Sequence, residues 1–206
     1  MNRKRVLLAD DHAIVRFGLN MLFKSQPDFI VVGQAQNGKE AVAAARETHP
    51  DIVVMDLSMP VMDGVEATQA ICREMPDVKV LILTSFGNSD GIAHALEAGA
   101  MGAIMKTTED ENLVPVVRRI LGGERVVSPE IQTQLDENPP VPALSQRQKE
   151  ILESMMRGLT NRDISYQFGI SEKRVEQLIK ALITKINAAN RTEAVAIALR
   201  RHLLKA

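Results

Sequence analysis

The rhythm of apolar and polar positions changes twice along this chain. Over residues 5–121, short continuous apolar runs alternate with stretches whose apolar residues recur every three to four positions. Runs at 5–9, 29–35, 52–55, 80–83 and 103–105 read as strands, and the unbroken third and fourth suit strands covered on both faces. Between them the spacing predicts helices over 13–25, 39–48, from Gly64 to near Pro76, 89–97 and 113–121. Gly99 and Gly122-Gly123 supply stops for the last two. On the first helix, Ile14, Phe17, Leu19, Met21 and Leu22 are expected to form the buried face. Five strands alternating with five helices predict an α/β fold with a doubly wound parallel sheet.

The rhythm breaks at residues 136–143, DENPPVPA, whose three prolines cannot continue a helix and read as a semi-rigid linker. Beyond it the pattern is wholly helical. Ser145 and Gln148 form a capping box for a helix ending at Gly158. Thr160 caps a short helix over 161–168, and Ser171 caps a longer one after the Gly169-Ile170 turn. Val175, Leu178, Ile179, Leu182, Ile183 and Ile186 give that longer helix one buried stripe. Thr192 is expected to cap a last helix reaching about residue 204, with Val195, Ala198 and Leu199 near one face. The expected organisation is a first domain over 1–123, a linker over 124–143 and a small all-α helix-turn-helix domain over 144–206.

Candidate chemistry sits where the strands end. Asp10-Asp11, Asp56, Thr84 and Lys106 each follow one of the apolar runs. In a parallel sheet these positions meet at the carboxyl edge, where open α/β folds bind ligands. The three carboxylates would repel one another, and a hard divalent cation relieves that; Mg²⁺ suits few carboxylates plus water. Asp56, on the central strand, is the expected phosphoryl acceptor, since a carboxylate can form an aspartyl-phosphate. Lys106 and Thr84 are placed to sense phosphoryl oxygens, and Ser58 to offer its backbone carbonyl to the metal. Pro60 and Gly64 predict a rigid turn that leaves Asp56 approachable.

Charge separates the two halves. The net charge of −1 divides into 13 Lys/Arg against 20 Asp/Glu in residues 1–140, and 12 against 6 in residues 141–206. A basic helical module suggests a polyanion, most simply nucleic acid. The second helix of its helix-turn-helix should enter the major groove. Lys173, Arg174, Gln177, Lys180 and Lys185 lie off its buried stripe, and Thr160, Asn161 and Arg162 at the preceding helix start are candidate phosphate contacts. No apolar run approaches the roughly 20 residues of a membrane span. The lone Cys72 permits no internal disulfide. A cytoplasmic protein with no membrane partner is expected.

In combination, Asp10-Asp11, the run DLSMPVMDG from Asp56, Thr84-Ser85 and Lys106 resemble the receiver domain of bacterial two-component response regulators, a flavodoxin-like fold. Leu144–Leu152, Gly158–Ile164, Ile170-Ser171 and Asn190–Ala194 resemble a LuxR-type helix-turn-helix, so that nearly the whole chain is similar to the NarL/FixJ class. The resemblance implies phosphorylation of Asp56, by a sensor histidine kinase or a small phosphodonor with Mg²⁺, as a control on DNA binding and transcription. It implies Asp11, Asp56 and the Ser58 carbonyl as direct metal ligands, Asp10 acting partly through water, and a switch centred on Thr84. It also implies a homodimer on phosphorylation or DNA binding, and a regulator rather than an enzyme. A phosphohydrolase is disfavoured because Ser58 and Phe86 are poor water-positioning groups.

Two departures stand out. Ala103 occupies the place where the family usually carries Tyr or Phe, which removes an aromatic rotamer switch and predicts weaker or differently routed coupling. On the expected reading helix, Glu176 replaces a common lysine and Leu178 extends the apolar stripe. These changes keep open a tail that binds a protein partner instead of, or more than, DNA.

Overall fold

A computed structural model describes residues 3–85, 89–106, 113–137, 144–200 and 203. They form two compact units, Met1–Pro139 and Pro140–Ala206. In the first unit β1 (Lys4–Ala9), α1 (Ala13–Lys24), β2 (Phe29–Ala35), α2 (Gly38–Thr48), β3 (Ile52–Met55), α3 (Gly64–Glu74), β4 (Lys79–Thr84), α4 (Ser89–Glu97), β5 (Gly102–Met105) and α5 (Leu113–Leu121) alternate as expected. The strands are all parallel, in the order β2-β1-β3-β4-β5 followed by a short sixth, β6 (Val126–Val127).

The sixth strand, β6 (Val126–Val127), differs from the five-stranded expectation. Two residues are too short to show a period, so β6 is invisible to pattern. It is held by register, Gly102 and Ala103 of β5 pairing with Val126 and Val127. Helix α6 (Pro129–Glu137) follows, with Ile131 fully buried. Residues 124–137 are therefore sheet edge and helix, whereas 138–143, the proline-rich part of the expected linker, lie outside the described residues.

Side-chain alternation along the central strands builds a core on each face of the sheet. Leu7, Ala9, Val53, Met55, Val80, Ile82, Ala103 and Met105 pack with α2, α3, α4 and α6 residues such as Ala45, Ile71, Ile92 and Ile131. Val6, Leu8, Ile52, Val54, Leu81, Leu83 and Ile104 pack with Leu19 and Phe23 of α1 and Val117 and Ile120 of α5.

The buried face of α1 corrects one expectation. Leu19 and Leu22 point into the core with Val15 and Phe23, but Ile14, Phe17 and Met21 are 86%, 65% and 55% exposed. The segment carries two overlapping helical stripes; the one through Val15, Leu19, Leu22 and Phe23 meets the sheet.

The second unit comprises α7 (Gln146–Met156), α8 (Asn161–Phe168), α9 (Glu172–Lys185) and α10 (Arg191–Arg200). Ser145 and Gln148 form the expected capping box, Thr160 caps α8 in a second box with Asp163, and Ser171 caps α9. The last cap differs: Asn190 Oδ1 accepts from the Glu193 N–H at 2.9 Å, and α10 starts at Arg191 rather than behind Thr192. Asn190 has the acidic residue three places on that Thr192 lacks, and Glu193 Oε2 returns to the Ala189 N–H at 2.6 Å. The expected extension to residue 204 falls on residues mostly outside those described. Val175, Ile179, Leu182 and Ile186 are buried, with Leu178 and Ile183 packed at the margin. On α10, Ala198 is buried and Val195 half-buried, while Leu199 is 57% exposed. No helix among the described residues is long and apolar enough to cross a membrane.

Candidate phosphoryl and nucleic-acid sites

Two neighbouring strands at the sheet's centre define the first site. The chain leaves β1 toward β2 on one side and reaches β3 on the other, so the crevice beyond β1 and β3 is the topological switch point. Asp10 follows β1 and Asp56 follows β3. The ladder continues past both strands: Asp56 N–H donates to Ala9 O at 2.8 Å, and Asp10 N–H to Ala35 O at 3.1 Å. Lys106 follows β5 and is held the same way by Thr84 O at 2.7 Å.

The Lys106 ammonium stands 2.8 Å from Asp10 Oδ2 and 3.0 Å from Asp56 Oδ2, with only 15% of its side chain exposed. Asp10 and Asp56 are 1% and 3% exposed. Burial pushes the Asp56 carboxyl above the ordinary aspartate value, outweighing the pull of Lys106, and the Asp10 charge adds to the rise. Burial works against the Lys106 charge, but contacts with Asp10 and Asp56 outweigh it and hold the ammonium above the usual lysine value. Asp10 Oδ1 accepts from the His12 N–H at 2.8 Å. Its Oδ2 is held by the Lys106 ammonium.

The loop after Asp56 is clamped at both ends. Gly64 N–H donates to Leu57 O at 2.9 Å. A Cβ at Gly64 would lie 2.1 Å from Asp56 O, so only glycine lets α3 start this close to Asp56. Gly38 N–H, at the start of α2, donates to Met62 O at 2.9 Å from the other side. Between them Met62 N–H donates to Pro60 O at 2.8 Å, closing a three-residue turn around Val61. Val61 has φ 69°, a costly conformation for a β-branched residue, and is 77% exposed.

The structure thus brings Asp10, Asp11, Asp56 and Lys106 together, and adds His12, which the reading by pattern leaves out. His12 Nδ1 lies 2.7 Å from Asp11 Oδ1 and 3.3 Å from Asp10 Oδ1. Its place directly after the acidic pair is the signal that could have found it. Thr84 is buried at the same edge, with its hydroxyl 3.3 Å from Ser85 O rather than turned to a carboxylate. Ser58 is exposed in the loop. Residues 86–88, Phe86 among them, and 107–112 lie outside the described residues.

The second site is the exposed side of α8 and α9. Gly169, in the left-handed conformation at φ 63°, ends α8 and turns the chain into α9. Lys173, Arg174, Gln177 and Lys180 are exposed on α9, and Arg174 donates to Gln177 Oε1 at 3.2 Å. The other expected contacts are engaged inside the unit. Thr160 Oγ1 donates to Asp163 Oδ2 at 2.6 Å, Arg191 donates to Asn161 Oδ1 at 3.1 Å, and Lys185 donates to Gln148 Oε1 at 3.1 Å. Arg162 lies against the exposed ring of Tyr166, its guanidinium 5.8 Å from the centroid. Glu176 is exposed among the basic residues of α9, and Leu178 is half-buried.

Comparison with known proteins matches this division. Residues 6–118 fit the family model of the response regulator receiver domain, and residues 142–198 that of bacterial regulatory proteins of the luxR family. The transcriptional regulatory protein LiaR of Bacillus subtilis (strain 168) is 38% identical over 97% of this chain and 99% of its own. The response regulator protein VraR of Staphylococcus aureus (strain NCTC 8325 / PS 47) is 37% identical over 98% and 99%. Among solved structures, the response regulator ChrA of a heme-sensing two-component system aligns with TM-score 0.60 and 33% identity over 99% of this chain and 100% of that one. RcsB in complex with DNA shares the fold at TM-score 0.63, with 22% identity over 97% of this chain and 99% of that one. The chain belongs to the response regulators, joining a receiver domain to a LuxR-type DNA-binding domain.

Proposed function

We propose that Asp56 is the phosphoryl acceptor of this regulator and that its phosphorylation controls how the tail engages DNA. The observation that carries this reading is the bridge from Lys106 to Asp10 and Asp56, two buried carboxylates at the switch point. The donor set fits a hard cation: Asp10, Asp11 and Asp56 offer carboxylate oxygens within 4.8 Å of one another. Asp10, Asp11, Asp56 and the Ser58 carbonyl would hold Mg²⁺, which when bound neutralises charge on the transferred group.

The chain's own groups do the positioning. Asp56, ionised, presents the attacking oxygen, and the clamped loop keeps its approach open. Lys106 is already at the carboxylates and serves as the cation for a phosphoryl oxygen, leaving Asp10 as it does so. Thr84 offers a hydroxyl at the same edge, and reorienting it from Ser85 O would couple β4 to the modified Asp56. Ala103 is fully buried and shares a core with Ile131 of α6. Coupling then runs through the packing of α6 on β5 instead of an aromatic side chain. The partners of this cytoplasmic regulator are a sensor histidine kinase and DNA, which it binds as a homodimer. The structure of two RcsB dimers bound to two parallel DNAs offers a precedent. Lys173, Arg174, Gln177 and Lys180 make the α9 contacts in this reading, with Arg162 at α8.

Phosphorylation of the full chain by acetyl phosphate with Mg²⁺, followed by borohydride reduction and peptide mass spectrometry, tests the acceptor. Modification at Asp56, abolished by chelation, is the expected result; modification elsewhere overturns the assignment. The tail that binds protein has one observation in its favour, the carboxylate of Glu176 exposed on the basic helix. Selection of genomic DNA fragments by the phosphorylated and unmodified protein decides between them: enrichment supports the DNA reading, and none in either state supports the other.

A further inference from the structure

We propose that Arg174 and Gln177 act as one composite reader of the major groove: Gln177 holds the Arg174 guanidinium for a guanine and offers its own amide hydrogens to the adjacent base pair. The inference rests on the reading of α9 as the helix that engages DNA, and concerns which bases it selects. The first turns of α9 fix where the pair stands. Ser171 caps the helix, and the Arg174 N–H donates to its Oγ at 3.2 Å and to its backbone O at 2.9 Å. Val175 and Ile179 are buried in the core of the unit, which sets the rotation of the helix and leaves Arg174 and Gln177 in solvent. Residues three apart on a helix are neighbours on its surface. Reading helices of this architecture meet base edges with their N-terminal residues.

A guanidinium only donates, so the contact of Arg174 Nη1 with Gln177 at 3.2 Å fixes the orientation of the amide: Oε1 faces the arginine and the Nε2 hydrogens face away from it. The pair therefore presents donors to the groove, with its amide acceptor already engaged. On the major-groove edge guanine shows two acceptors, N7 and O6, and thymine one, O4, whereas adenine and cytosine each show an amino donor. The guanidinium fork, steadied on one side by Gln177, fits N7 and O6 of one guanine. The amide hydrogens fit O6 or O4 of the next base pair. Cβ atoms three positions apart lie about 5–6 Å from each other and stacked base pairs about 3.4 Å, so two such side chains reach adjacent steps. A glutamine on its own commonly reads adenine, accepting from N6 through Oε1. The Arg174 contact occupies that oxygen and shifts Gln177 from adenine toward guanine or thymine. Lys173 and Lys180, exposed on the same helix, are flexible point charges better suited to phosphates than to one base.

The test is selection by the full-length protein, unmodified and phosphorylated with acetyl phosphate and Mg²⁺, from a duplex library with a randomised core of about 20 base pairs, two helical turns. Wild type, Arg174→Lys, Gln177→Ala and Gln177→Glu are compared; both side chains lie in solvent, so the variants keep the fold. Single-base variants of the selected duplex are then titrated by mobility shift at fixed salt. The wild type is expected to fix a guanine, with guanine or thymine beside it. Arg174→Lys keeps the charge but not the fork. Its guanine-over-adenine preference should fall roughly tenfold or more, while its affinity for unselected DNA stays within about twofold of wild type. Gln177→Glu keeps an acceptor for Arg174 and removes the amide donors, so the guanine should survive and the neighbouring preference relax. Gln177→Ala should weaken both. A guanine preference undiminished in Arg174→Lys, or a selected adenine that depends on Gln177, overturns the composite reader and leaves the DNA reading of α9 standing. Selection of no sequence by the wild type in either state overturns the DNA reading, and this inference with it.

Discussion

On the proposed reading the strand-edge pocket and the exposed side of α9 carry the two halves of this regulator's task, and they are built in opposite ways. In the pocket the candidate groups meet each other: Lys106 bridges Asp10 and Asp56, and His12 touches Asp10 and Asp11. Burial and contact tie their charges together, so each residue's surroundings constrain its chemistry. On α9 the side chains of Lys173 and Lys180 are exposed, and in the proposed function only a partner completes their chemistry. A site closed on itself is legible from one chain, whereas an interface is half of a sentence. Perturbations inside the receiver should therefore show in stability, and perturbations of α9 in binding alone.

The largest expected effect lies under the sheet edge. Ile131 of α6 is fully buried in the core that also holds Ala103 and Ile92. Ile131→Ala should destabilise the receiver by about 3 kcal/mol, the range for a large aliphatic side chain cut to alanine in a core. Denaturant unfolding followed by far-ultraviolet circular dichroism checks this. A loss below about 0.5 kcal/mol would show α6 to be a linker after all, as residues 124–143 read in the sequence.

Next comes the pocket itself. Removing the ammonium with Lys106→Ala leaves Asp10 and Asp56 facing each other, buried and without their cation, and should cost about 2 kcal/mol at neutral pH, below the roughly 3–5 kcal/mol of a fully buried pair because the Lys106 side chain keeps 15% exposure. The sign with pH follows from Asp56. Its folded-state value is raised, by burial first, so the native state holds that proton more tightly than the unfolded chain does. Its contribution is most favourable below the ordinary aspartate value and is lost as pH rises through the raised one. The raised Lys106 value acts in the same direction but only at alkaline pH, where that ammonium deprotonates. The deficit of Lys106→Ala should therefore shrink as pH falls from neutrality and Asp56 takes a proton. Thermal melts across that range, with and without saturating Mg²⁺, read it; a deficit independent of pH would break the electrostatic account.

How much of this was readable beforehand follows the same division. The strands and helices of the receiver were legible because the apolar period changes at each boundary, and parallel topology alone brings Asp10, Asp56 and Lys106 to one edge. β6 was not, because two residues show no period. The α1 face was misread because two apolar stripes overlap within one helix, and only the sheet decides which is covered. In the tail, the pattern makes Asn161 a candidate phosphate contact and is silent about Arg191, thirty positions away, which donates to it. No local pattern announces a partner that distant. Arg191 also donates to Leu159 O, so its guanidinium ties the start of α10 to both Asn161 and the turn before α8.

On α9 the comparison predicts a change in binding with none in stability. Glu176 is exposed among the basic residues, where its carboxylate would repel the phosphates of bound DNA. Glu176→Lys should strengthen DNA binding several-fold, about 1 kcal/mol, across unrelated sequences, and steepen the salt dependence by about one counterion. Mobility-shift titrations at two salt concentrations measure both. A fall in affinity confined to some sequences would instead identify Glu176 as a reader of cytosine.

The smallest expected effect tests the exception within the receiver. Ile14 and Phe17 are large, apolar and exposed, while Leu19, on the same helix, is 7% exposed in the core. Were the receiver uniformly committed to its own interior, replacing any of the three would cost alike. The structure says otherwise. Ile14→Ser and Phe17→Ser should each change receiver stability by no more than about 0.5 kcal/mol, because neither side chain leaves water on folding, while Leu19→Ala should cost about 3 kcal/mol. Urea unfolding of the three variants separates the stripes directly. A cost for Phe17→Ser as large as that for Leu19→Ala would mean that α1 is covered on both faces in solution. The contrast between a receiver closed on itself and a tail completed by a partner would then have to be redrawn, with α1 on the partner's side.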